Sequence, residues 1–221
     1  MSNVVFFSGT DGYLNCGSDA SLQLTTVFTF DTLVKKRKVK DANYPTIIGK
    51  WDAGAGGKGY IFGILYDGRL FVDPNAATYI TTVYPCTDSN RWYRLSISWV
   101  AGAGFKFYVD GNLIYTSAIY AGPIVDSGTA LLLGSNLGGL HFWQGDMAEV
   151  LIYNRQLTDD EILYNYFHPS KPKRRGLVMN LNQDSIYGTQ WRDLSGNPNH
   201  GTYTGATAPP YPVTANRLAG R

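Results

Sequence analysis

Glutamate is nearly absent from this chain: its 221 residues contain two, Glu149 and Glu161. Hydrolysis of a glycosidic bond needs two carboxylates flanking the scissile bond, so the shortage weighs against that chemistry. Cysteine is equally scarce. Cys16 and Cys86 allow one disulfide at most, and no Cys/His spacing suits zinc. The three histidines, His141, His168 and His200, sit in turn or linker contexts with no nucleophile motif nearby. Each reads as a surface or turn histidine. No apolar run approaches the roughly 18 residues of a membrane-spanning helix. The opening MSNVVFFSGTDG lacks the basic and apolar regions of a signal peptide, so synthesis in a cytoplasm and no membrane partner are expected. Charged residues make up 16% and the net charge is +2, which argues against a general polyanion binder. Two basic runs stand out locally, Lys35–Lys40 (KKRKVK) and Lys171–Arg175 (KPKRR). No aromatic residue interleaves with the first, and both read as solvated loop or linker, so nucleic acid is not an expected partner.

What is abundant is glycine (25), tyrosine (16) and apolar residues (44%), a β-rich and turn-rich composition. The length suits one all-β domain and is enough to bury roughly 70% of the unfolded surface. Short strands with a turn signal about every ten residues fill the first ~155 positions, the spacing of a sandwich or barrel. Asp67-Gly68 in GILYDGRLFV and Asp110-Gly111 in KFYVDGNLIY predict type I′ hairpins, in which both central residues need a positive φ. Further strands are expected at Tyr44–Lys50, Trp92–Val100, Ala130–Gly134 and Met147–Tyr153, with Leu95, Ile97 and Trp99 alternating onto one face. One helix is expected, from Asp159 to Phe167. Thr158 and Glu161 make its capping box, Leu157 and Ile162 its hydrophobic staple, and Asp159 and Asp160 suit its positive end. His168-Pro169 stops it. An extended, solvated linker, 168–175, then leads to GLVMNLNQDSIYGTQWRDLSGNPNHGTYTGA, Gly176 to Ala206, and a proline-rich tail.

FFSGTDGYLNCGSDASLQLTTVFTFDTLV, TIIGKWD, RWYRLSISWV and FWQGDMAEVLIYNRQLTDDEI follow one another in an order that resembles the laminin G-like, concanavalin A-like jelly-roll domains. The last motif, a strand, Tyr-Asn-Arg, a leucine and a capped helix, is the most specific. The resemblance covers about residues 3–167 and implies an antiparallel jelly-roll β-sandwich with one short helix near 159–167. Members of that family normally open with a segment similar to 176–206. Here it follows the last helix, so the chain resembles a circular permutant: 1–167 the core, 168–175 a linker, 176–221 the family's usual first strands. Three dispositions stay open: closure within one subunit, exchange with a neighbouring subunit, or the start of a truncated second repeat.

The same sandwich serves lectins and hydrolases, so fold leaves function open. Glu161 belongs to the helix cap. Glu149 and Asp146, three apart on a strand, face opposite sides, and the catalytic strand of the family's hydrolases is missing; no enzymatic activity is expected. Sugar binding needs exposed aromatic platforms beside polar groups. Trp51, next to Asp52 and the glycine-rich stretch 53–59, Tyr60, and the pair Trp143-Gln144 are the candidates. Trp92, Trp99 and Trp143 also suit a sandwich core. No cofactor is expected; should the chain bind calcium, Asp52 and Asp146, with the Asp11 turn, are the candidate ligands. The GLV…DLSGN.NHGT segment, without a leader, resembles bacteriophage virion surface proteins. That resemblance implies a capsid-decoration or fibre/adhesin module located on the virion. Its partners would be a capsid or tail protein, further copies of itself, and cell-surface glycans. A stand-alone carbohydrate-binding lectin is the alternative reading, and a glycoside hydrolase a third.

Overall fold

A computed structural model describes residues 4–37, 44–52, 54, 56–76, 80–89, 91–136 and 141–204, the side chains of 83–85 excepted. Lys38–Lys40 of the first basic run and the tail from 205 onward lie outside the described residues. In chain order the strands are β1 (Val5–Ser8), β2 (Tyr13–Asn15), β3 (Val27–Lys36), β4 (Thr46–Asp52), β5 (Lys58–Ile64), β6 (Arg69–Pro74), β7 (Ile80–Pro85) and β8 (Trp92–Val100). There follow β9 (Gly104–Val109), β10 (Asn112–Ile119), β11 (Leu132–Leu133), β12 (Gln144–Tyr153), helix α1 (Asp159–Phe167), β13 (Leu177–Leu181), β14 (Ile186–Tyr187), β15 (Gln190–Trp191) and β16 (Gly201–Thr204).

Two antiparallel sheets result. One runs β1-β12-β3-β8-β9-β10, with β13 also on β12; the other runs β14-β15-β16-β2-β11-β4-β5-β6-β7. Their facing sides make the core of a jelly-roll sandwich. The alternation in β8 delivers Leu95, Ile97 and Trp99 to it, all fully buried. Phe28 and Phe30 stack at 4.2 Å, and Trp99 stacks on Phe105 at 5.2 Å. Burying each such side chain is worth about 1.5–3 kcal/mol.

The segment after the helix is built into these sheets. One edge of β12 pairs with β3; its other edge pairs with β1 over residues 144–147 and with β13 over 150–153. β16 pairs with β2. The far side of β13 would be an open sheet edge, and the DLSGNPN stretch closes it. The Val178 carbonyl accepts from Ser195 Oγ (3.0 Å), Asn197 Nδ2 (3.0 Å) and Asn199 Nδ2 (2.8 Å). Asn180 N donates to Asp193 (2.8 Å), and Asn180 O accepts from Leu194 N (2.9 Å). Short polar side chains thus take the hydrogen bonds that a further strand would have made.

Three local expectations change. Asp110 and Gly111 both have positive φ, 50° and 82°, as a type I′ turn demands, but of the other pair only Gly68 does (90°). The loop between β5 and β6 is four residues long, closed by Gly68 N on Leu65 O at 2.9 Å. Asp67 instead accepts from Arg69 N (3.1 Å) and Arg69 Nε (2.7 Å), which holds it out of the left-handed region. The run KKRKVK does not begin as a solvated loop: Lys35 and Lys36 end β3. Lys36 is buried with Nζ 3.4 Å from the Leu65 carbonyl, its stem packed and its head at the rim. The basic linker is pinned to the helix, because Lys173 N donates to Asn165 Oδ1 (3.0 Å) and Arg155 Nε to Arg175 O (2.8 Å). Lys173 Nζ also sits 3.7 Å over the Tyr164 ring. Cys16 and Cys86 are both buried free thiols, and burial pushes the Cys86 thiol up to about 11.

The helix spans the nine residues its capping box predicts. Glu161 N donates to Thr158 Oγ1 (3.2 Å) and Thr158 N to Glu161 Oε2 (3.1 Å). Glu161 also receives both Arg155 Nη atoms at 2.7 Å. Those Arg155 bonds, with the Thr158 amide, outweigh partial burial and bring its carboxyl down to about 2 from 4.5. A carboxyl whose folded value is depressed stabilises the fold fully above its unfolded value and loses that contribution as pH falls through the folded one. Thermal melts of the protein and of Glu161→Gln should therefore differ at pH 6 and converge as pH falls from about 4.5 toward 2. A constant gap would show that the carboxylate charge is not what holds the cap.

Candidate functional site

The outer faces of the two sheets differ. On the β12-β3-β8 sheet, α1 and its flanks form a roof. Leu151, Tyr153, Leu157, Ile162 and Leu177 pack there with Tyr108. Beneath the helix lies a buried ionic cluster. Arg94 Nε and Nη2 hold the two Asp31 oxygens at 2.8 and 2.9 Å, and Arg94 Nη1 holds Glu149 at 2.8 Å. Ser96 Oγ (3.0 Å) and Asn165 Nδ2 (3.0 Å) also donate to Asp31. Sequence spacing alone does not bring Asp31 and Glu149 together; the cross-strand register does. Arg94 thus bridges the two carboxylates.

The outer face of the nine-stranded sheet carries the candidate site. Residues paired in register share a face, and the inward ones, Leu14, Ile48, Phe62, Val72 and Trp191, mark the core side. Their neighbours form one outward row. At its exposed end stand Tyr187, Gln190, Thr202 and Asn15. It continues through Leu132, Gly49, Ile61 and Asp73, all buried. Gly49 is required there: a Cβ on it would fall 2.9 Å from the Ser135 carbonyl, because the chain after β11 crosses over it. Beside this end, Trp51, Ile61, Leu65 and Phe71 form a separate apolar cluster with Tyr44 against it. Asp73 is 4% exposed, its Oδ1 has no hydrogen-bond partner among the described residues, and burial pushes its carboxyl up to about 6. At the exposed end, Arg192 places its guanidinium 4.6 Å over the Tyr187 ring.

The residues expected from the sequence do not converge. Tyr60 (1% exposed) and Trp143 (0%) lie in the core between the sheets, where neither ring can stack on a sugar. The Tyr60 hydroxyl, raised by burial, has no hydrogen-bond partner among the described residues; Lys50, its in-register neighbour across β4 and β5, is buried in an ion pair with Asp126. Gln144 opens β12 on the other sheet. Trp51 alone belongs to the nine-stranded sheet's outer face, but at 8% exposure it is floor rather than platform. The calcium candidates are equally dispersed. Asp52 on β4 accepts from Gly54 N (2.9 Å). Asp146 on β12 is 3.4 Å from Arg37, whose guanidinium covers Phe6, and Asp11 accepts from Ser8 and Thr10 in its turn. Calcium takes six to eight oxygens from one locality, and these carboxylates do not share one. Sequence reading passed over Tyr187, Gln190, Arg192 and Thr202. Their signal is the two-residue alternation either side of Gly188-Thr189 and in GTYT, short enough to pass for loop.

A family model described as the concanavalin A-like lectin/glucanases superfamily matches residues 8–163. No curated protein matches the sequence. Among solved structures, a candidate carbohydrate-binding protein of Bacteroides ovatus is similar at TM-score 0.73 and 20% identity, over 94% of this chain and 59% of that one. This chain therefore spans less than two thirds of that protein. The CBM40 domain of the Ruminococcus gnavus IT-sialidase, solved with α2,3-sialyllactose, gives 0.55 and 15%, over 73% and 95% of the two chains. A heptameric pentraxin of Limulus polyphemus gives 0.55 and 15%, over 75% and 82%. Such identities show a shared fold. With most of its length matched by the family model and the sandwich in place, the chain belongs to the concanavalin A-like lectin/glucanase superfamily.

Proposed function

We propose that the protein is a carbohydrate-binding module whose ligand lies along the outer face of the nine-stranded sheet. One observation carries the reading: on that face an exposed ring, Tyr187, stands in register with the amide and hydroxyl groups of Gln190, Thr202 and Asn15. Sugars are recognised by this combination, an aromatic surface for the C–H face and fixed polar groups for the hydroxyls. The fold is shared with domains described as carbohydrate-binding, which favours this reading over assembly on a capsid or tail lattice. Binding without catalysis is the form we favour. Arg94 holds Asp31 and Glu149 beneath the helix, and Asp73 has no second carboxylate in its row.

A glycan array followed by calorimetry on the best ligand tests the proposal. Tyr187→Ala and Gln190→Ala are each expected to weaken binding about tenfold or more, equivalent to about 1.4 kcal/mol, while leaving the melting temperature unchanged. Binding that survives both changes would put the ligand elsewhere. No glycan bound by the unmodified protein would end the reading.

A further inference from the structure

Resting on that reading, we infer that Arg192 and Tyr187 form a subsite for the oxyanion of an acidic sugar, a carboxylate or a sulfate ester. Arg192 is exposed, and none of the eight ion pairs among the described residues includes it. Asp193, next in sequence, is buried with its carboxylate on the Asn180 and Ser195 amides. The guanidinium is nevertheless held in place, at 4.6 Å over the Tyr187 ring.

Stacking uses the flat face of a guanidinium, whereas its N–H donors lie in its plane and point outward from the rim. Arg192, held over the ring and outside those ion pairs, has N–H donors to offer a planar oxyanion at a reduced entropic cost of ordering. Its backbone is fixed as well. Arg192 N donates to Ser185 O at 2.7 Å, and Trp191 before it is 1% exposed in the core. The register then supplies the rest of a sugar site. Gln190 faces Tyr187 across one pair and Thr202 across the next, on the same side of the sheet. A ring bearing an oxyanion can meet the arginine edge while its hydroxyls meet the amide and the threonine. All four residues lie beyond residue 163, outside the stretch that the family model matches.

The test is calorimetry with matched oligosaccharides: one neutral, one ending in a carboxylate-bearing sugar, and one sulfated. The unmodified protein should bind one acidic form about tenfold more tightly than the neutral one, as a charge-assisted pair allows. Whichever acidic arm shows the preference identifies the oxyanion. Arg192→Gln should bring that arm to the neutral affinity, with melting temperature unchanged; Tyr187→Phe, which keeps the ring, should retain the preference. Equal binding of all three ligands, or a preference that persists in Arg192→Gln, overturns the subsite and leaves the carbohydrate reading standing. Binding of none of them overturns the subsite, and the glycan array then decides the carbohydrate reading.

Discussion

A chain shortened to residues 1–170 should accumulate as insoluble protein. The deletion takes Leu177, Val178, Met179, Leu181 and Trp191 out of the buried interior. At about 1.5–3 kcal/mol for each, the loss is comparable to the 5–15 kcal/mol by which a domain is typically stable. It also uncovers the edge of β12 over residues 150–153 and the edge of β2, both now paired by the missing strands. Unpaired edges of that kind recruit other chains. A point substitution measures the same dependence in soluble protein. Trp191 is 1% exposed and its Nε1 donates to the Asn182 carbonyl at 2.6 Å. Trp191→Ala should cost about 3–5 kcal/mol, a fall of about 6–20 °C in melting temperature at this size. A 1–170 fragment that is soluble and melts cooperatively would show that the sandwich closes without the segment.

Breaking the ionic cluster under α1 should be nearly as damaging. In Arg94→Met, Asp31 and Glu149 remain buried without the cation that offsets their desolvation, and removing one partner of such a cluster costs about 3–5 kcal/mol. The helix is tied to the same cluster: Asn165 Nδ2 donates to Asp31 and to the Tyr153 hydroxyl, both at 3.0 Å. Urea denaturation should show the loss in the midpoint. Replacing all three charges, as Arg94→Met with Asp31→Leu and Glu149→Leu, should recover most of it, because a well-packed apolar substitute is often neutral or better. Failure of the triple variant to recover would mean that hydrogen bonds to Asn165 and Ser96, rather than paired charge, set the value of the cluster.

The residues around α1 show how much was legible. Thr158 and Glu161 specify a helix start through bonds no more than three residues apart, and the observed helix has the predicted limits. The strand Trp92–Val100 is equally plain, since RLSISWV meets a buried face and keeps strict alternation along it. Asp67-Gly68 and Lys36 were misread because their conformations are set by partners, Arg69 and the Leu65 carbonyl, whose positions no local pattern encodes. The site suffered most from this limit. Composition marks Trp143 and Tyr60 as ring platforms, but which side of a strand they occupy depends on register. Tyr187, Gln190 and Arg192 lie on two-residue strands too short to show a period, and their shared face exists only once β14, β15 and β16 are paired. The Arg94 cluster is assembled from residues of three strands, Arg94 lying more than fifty positions from each carboxylate in sequence.

The segment that seals the free side of β13 is also the one that presents Tyr187, Gln190, Arg192 and Thr202. Occupancy of those residues and completion of the sandwich are therefore thermodynamically linked. A ligand that binds only the folded chain adds RT ln(1 + [L]/Kd), about 2.7 kcal/mol at a hundredfold excess over Kd. Local opening of the segment and release of the ligand draw on the same equilibrium. Hydrogen exchange at the Asn180, Arg192 and Leu194 amides, which hold β13 and β15 in place, would slow in step with saturation and so report affinity from inside the fold.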